Sequence, residues 1–88
     1  MIRIRITSNG ETIFSVSGRM KMTNLAELKN LIEAEVTGQR IALDLKEVIL
    51  VDRDAVRFLK RCELSGIELR NCSAYIREWI TREQDDEV

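Results

Sequence analysis

Histidine and proline are absent from this chain, cysteine occurs only twice, and aromatic residues make up 5% of it. Each shortage removes a class of function. Without histidine the commonest general base near neutral pH is missing, together with a favoured zinc ligand. Cys62 and Cys72 have no metal-ligand spacing. The 14 Lys and Arg nearly cancel the 15 Asp and Glu, so no overall field recruits nucleic acid or an anionic membrane. No apolar run reaches membrane length and no secretory leader is recognisable. The expectation is a cytoplasmic protein with reduced thiols and no direct membrane insertion. No repeat or low-complexity stretch divides the 88 residues, which read as one domain over residues 1–84 and an acidic tail over 85–88.

What is present is strongly periodic. Ile2, Ile4 and Ile6 alternate with Arg3, Arg5 and Thr7, the period-two pattern of a strand with one buried face. Asn9-Gly10 is a two-residue hairpin signal, and Thr12 to Ser17 follows as a second strand with Phe14 and Val16 inward. Asn24 with Glu27 three residues later predicts a helix start. Leu25, Leu28, Ile32 and Val36 share one face of that helix, Leu31 lies beside them, and Gly38 ends it. A third strand runs from Arg40 to Leu45. A second helix runs from Asp52 to about Leu64, with Ala55, Phe58, Leu59 and Cys62 as its core stripe and Gly66 as its stop. Ile67 to Arg70 is a fourth strand. Ser73 caps a last helix with Tyr75, Ile76, Trp79 and Ile80 inward.

The order is β-β-α-β-α-β-α. Every strand alternates, so the sheet has one covered and one polar face; strands sandwiched on both sides read as continuous apolar runs. Right-handed crossovers then put the first two helices on the same side. The fold class is α/β: a four-stranded mixed sheet with helices mainly on one face.

Two features carry candidate chemistry. Asp52-Arg53-Asp54 follows an apolar run, as an Asp-x-Asp magnesium site of a phosphatase would, but the larger sheet and downstream Lys of that chemistry are missing. Helix capping, with Asp52 as N-cap and Asp54 in the first turn, explains the same residues. The second feature is a basic ridge, Arg53, Arg57, Lys60 and Arg61, opposite the core stripe. It suits an acidic protein partner better than nucleic acid, because no aromatic residues interleave with it. Cys72, just before the last helix, sits where a helix N-terminus lowers a thiol pKa. Asp44 points by parity to the polar face, apart from Asp52 and Asp54.

The order and spacing of Val16-Ser17-Gly18-Arg19-Met20, Ile41-Ala42-Leu43-Asp44-Leu45, Val51-Asp52-Arg53-Asp54-Ala55 and Gly66-Ile67-Glu68-Leu69-Arg70-Asn71 resemble the STAS domain. That family comprises bacterial anti-sigma-factor antagonists and regulatory domains of sulfate transporters. The resemblance runs from about Ile2 to Arg82. It implies a non-catalytic protein-interaction module without cofactor or metal, whose partner is an anti-sigma-factor kinase-like ATPase or, alternatively, a subunit of an ABC lipid transport complex. In the family the segment matching Asp52 to Ala55 reads Asp-Ser-Ser-Gly, and the second Ser is phosphorylated by the partner. Here Asp54 occupies that position and has no hydroxyl to phosphorylate. Its single negative charge imitates a phosphate of about −1.5 to −2 only weakly. The expected partner-binding residues are Asp52, Arg53, Asp54, Arg57, Lys60 and Arg61.

Overall fold

The alternation at the start of the chain becomes β1 (Ile2–Ser8), antiparallel to β2 (Glu11–Met20). A computed structural model gives the structure and describes residues 2–35 and 40–83; Val36, Gly38 and the acidic tail, on which sequence expectations fell, lie outside these. The hairpin differs from the two-residue type. Ser8 pairs with Thr12, so three residues make the turn. Only Gly10 of the Asn-Gly pair takes a positive φ, at 78°.

Helix α1 (Met22–Ala34) begins earlier than Asn24 because Asn24 caps it from within the first turn. The Lys21 amide donates to Asn24 Oδ1 at 2.9 Å, and Asn24 Nδ2 donates back to the Arg19 carbonyl. Leu28 is fully buried, with Leu25, Leu31 and Ile32 packed around it.

Strand β3 (Arg40–Val51) is twice as long as its alternation suggested. Its pairing with β2 slips twice, so that Ser15 opposes Asp44 while Ser17 opposes Glu47, and Gly18 opposes Val48 while Arg19 opposes Leu50. Each slip is a bulge, which adds a residue and resets the side-chain parity. The apolar run Val48 to Val51 is therefore part of the strand. Val51 is buried, whereas Ile49 is 70% and Leu50 41% exposed.

Helix α2 (Arg53–Leu64) buries Ala55, Val56, Leu59 and Cys62. Gly66 then takes φ 98°, a left-handed turn that an L side chain resists. Strand β4 (Glu68–Arg70) and α3 (Ala74–Arg82) close the fold. Ser73 caps α3 by accepting from the Ile76 amide at 3.3 Å. Ile76 and Ile80 point inward, but Tyr75, expected inward, is 54% exposed and tilts against Trp79 with ring centroids 6.1 Å apart.

The sheet order is β1-β2-β3-β4, with β2-β3 and β3-β4 parallel. All three helices contribute to the single core cluster on one face of the sheet, around Phe14, Met20, Leu43 and Leu59. The other face is uncovered among the described residues.

Asp52 ties three elements together. Its amide donates to the Met20 carbonyl at the end of β2. Its Oδ1 accepts from the Ala55 amide at 2.8 Å, capping α2, and its Oδ2 accepts from the Met22 amide at 3.0 Å, at the first turn of α1. Loss of an N-cap side chain costs about 0.5–2 kcal/mol. Asp52→Ala is expected to lower stability by about 2 kcal/mol in urea denaturation and Asp52→Asn by less, since one amide oxygen still caps one helix.

Candidate functional site

At the C-terminal edge of β2 and β3 the chain turns into α1 and α2, and both helices start side by side. This places two first turns, with amides that lack intrahelical partners, at one end of the molecule. Asp52 satisfies one amide from each. Asp54 is exposed at the first turn of α2, where the helix dipole favours a carboxylate. The two acids thus do different work and do not form a metal pair. Among the described residues no group of three or more His, Cys, Asp or Glu could hold a metal ion.

The basic ridge is rearranged by a residue that the sequence did not single out. Glu83, at the end of α3, is only 9% exposed. Arg53 Nε and Arg57 Nε both donate to its Oε1, at 3.1 and 2.9 Å, and Lys60 Nζ donates to its carbonyl oxygen. Three of the four ridge cations therefore lean towards α3 rather than standing opposite the core. Hydrogen bonds from Arg57 and then Arg53 hold the Glu83 carboxyl below the usual glutamate range.

Asp54, Arg57 and Arg61 remain together on another feature, an open groove of about 700 Å³ between α1 and α2. Met22, Leu25, Ile32 and Phe58 give it an apolar lining. Met22 is 68% exposed and lies at the Asp54 end of the groove. Ile49 and Leu50 are exposed near the end of β3, where Leu50 pairs with Arg19. The six expected contact residues thus divide. Asp54 and Arg61 line the groove, Arg57 lines it while also bonding Glu83, Arg53 and Lys60 turn to Glu83, and Asp52 is committed to capping. The exposed Ile49 and Leu50 have a sequence signal, the apolar run that precedes Asp52.

The uncovered sheet face holds the remaining charge. Arg70 makes a bidentate pair with Glu11, at 2.9 and 2.7 Å, and a further bond to Glu68 at 3.1 Å. These contacts lower the Glu11 pKa and raise that of Arg70. Asp44 Oδ1 accepts from Asn71 Nδ2 and from the Lys46 amide, both at 3.0 Å. Asn71 reaches it from a left-handed backbone conformation, φ 55°, which Asn tolerates better than most residues.

Neither thiol is activated. Burial pushes Cys62 up to about 11 and also raises Cys72. At Cys72 desolvation is the largest cause, with Arg77 opposing it and Glu63 adding to it, so the lowered thiol pKa expected there is not found.

No protein-family model matches the chain, and neither does any curated protein. Among solved structures it is similar to an uncharacterised protein of the DUF3478 family from Shewanella loihica PV-4, which has a SpoIIAA-like fold. The TM-score is 0.58 at 18% identity, covering 92% of this chain and 74% of the other. The architecture is therefore a SpoIIAA-like, STAS-type α/β fold, as the sequence resemblance implied. No helix among the described residues is long and apolar enough to cross a membrane.

The Glu83 contacts make a pH-dependent contribution. A carboxyl whose folded pKa is depressed stabilises the fold above its unfolded value, about 4.3, and loses that effect as pH falls through the folded value. Glu83→Gln is expected to lower the urea midpoint at pH 7, with the gap from wild type closing as the pH drops below about 4.

Proposed function

We propose that this chain is a non-catalytic, STAS-like regulatory module that binds a protein partner at the end of the molecule where α1 and α2 begin. The observation that carries this reading is the exposure of Met22 beside Asp54 in the groove, with Ile49 and Leu50 exposed near the end of β3, the strand that leads into α2. Large apolar side chains kept in water beside a single charge at a helix start resemble the centre of an interface, with Arg57 and Arg61 as part of a polar rim. The SpoIIAA-like fold supports it, because the Asp54 position corresponds to the switch residue of the antagonists that the sequence resembles. An anti-sigma-factor kinase-like ATPase is the first partner class. A subunit of an ABC lipid transport complex is the second, since a carboxylate at position 54 removes switching by serine phosphorylation. A magnesium-dependent phosphatase is disfavoured because both oxygens of Asp52 already accept backbone amides.

Affinity capture from the native cell extract tests this, using wild type, Ile49→Asp and Asp54→Ser with identification by mass spectrometry. The expected result is one protein retained by wild type or by Asp54→Ser and reduced at least about tenfold by Ile49→Asp, the loss of a central contact. A kinase-like ATPase captured only by Asp54→Ser identifies a released-state relative of the antagonists. A transporter subunit captured by wild type identifies the second class. Capture unaffected by Ile49→Asp contradicts the assigned surface.

A further inference from the structure

We propose that the uncovered face of the sheet is a self-association surface, on which two copies of this chain pack face to face about a twofold axis running along β2. The basis is the order of charge across the strands. In one row Arg5 of β1 lies beside Ser15 of β2, which lies beside Asp44 of β3. In the next, Arg3 lies beside Ser17 and then Glu47. The face thus carries two arginines on β1, two hydroxyls on β2 and two acids on β3, with Lys46 between the acids in sequence. These residues, Lys46 included, line an open depression of about 620 Å³.

Among the described residues the two charged stripes make no ion pair with each other. They stand two strand spacings apart, about 9.6 Å, and neither Arg3 nor Arg5 makes an ion pair among the described residues. Arg70 of β4 differs, since Glu11 and Glu68 already neutralise it.

The sign pattern selects the arrangement. Two twofold axes can lie in the plane between facing sheets. An axis across the strands puts β1 over β1 and β3 over β3, so that Arg faces Arg and carboxylate faces carboxylate. An axis along β2 keeps each row level and exchanges β1 with β3. Arg5 of one copy then faces Asp44 of the other, Arg3 faces Glu47, and Ser15 and Ser17 face their own mates. Each contact occurs twice by symmetry, as an isologous interface requires. Both hydrogen bonds to Asp44 fall on Oδ1, so Oδ2 is the oxygen presented to the second copy.

The association is weak and sensitive to salt. Four strands about 4.8 Å apart make a face smaller than the roughly 800 Å² per partner of a standard interface. Arg19, at the far end of β2, also approaches its own mate. Polar contacts of this kind fall within the range of transient complexes and are screened by added ions.

Sedimentation velocity at high micromolar protein tests the proposal. Wild type is expected to dimerise at about 20 mM NaCl and to weaken at least about tenfold at 500 mM. Arg3→Glu and Glu47→Arg, both at exposed positions, are each expected to be monomeric because like charges then face each other twice. Mixed in equal amounts, the two variants restore opposite charges at both contacts, and a heterodimer is expected. Its recovery also shows that neither variant is misfolded. A wild type that stays monomeric at low salt, a dimer indifferent to both variants, or a mixture that fails to recover overturns the proposal. So does a monomer in which inorganic phosphate shifts the Arg3 and Arg5 amides, which would mark a small-anion site instead.

Discussion

One carboxylate holds in shape the end of this molecule where α1 and α2 begin. Asp52 ends β3, hydrogen-bonds through its amide to the end of β2, and accepts one amide from each of the two helices that begin there. Parallel crossovers bring helix starts to the same sheet edge in any fold of this kind, but they do not fix how the starts sit against each other. Here the two oxygens of a single side chain do so. The consequence reaches the surface. With Asp52 consumed by capping, Asp54 is the acid left outward at the start of α2, and Met22, whose amide Asp52 holds, stays beside it.

Charge elsewhere follows a similar economy of position. Glu83, at the far end of α3, draws Arg53, Arg57 and Lys60 towards it, and so converts most of an apparent basic ridge into the contact between α2 and α3. Glu11 performs the same service for Arg70 on the opposite face. Arg3 and Arg5 of β1 have no such ion-pair partner among the described residues. They are also the ones set in rows that a twofold axis brings into register.

Much of the architecture was legible in the sequence because local chemistry and the global fold agree. The alternation of Ile2, Ile4 and Ile6, the stripe Ala55, Leu59 and Cys62, the Asp52 and Ser73 caps and the Gly66 stop each encode their element within a few residues. The misplaced features are those fixed by tertiary pairing. Two bulges in β3 changed the parity after Asp44, so Ile49 and Leu50 came to the surface although their run looks buried. Asn24 acts from inside the first turn of α1 because Arg19 and Lys21 supply its partners. Tyr75 turns outward beside Trp79, since Ile76 and Ile80 already fill the inner side of α3. The partition of the six candidate contact residues depended on Glu83, whose position relative to α2 no spacing rule specifies.

The claim on which this account rests is that a single side chain couples the starts of both helices. Amide hydrogen exchange followed by NMR in wild type and Asp52→Ala addresses it residue by residue. The account requires the Met22 and Ala55 amides, far apart in sequence, to lose protection together, while the core amides of Leu28 and Leu59 keep a common, smaller change set by global stability. Loss of protection at Ala55 with Met22 unaltered would show that Asp52 caps α2 alone. The coupled arrangement of the two helix starts would then be wrong.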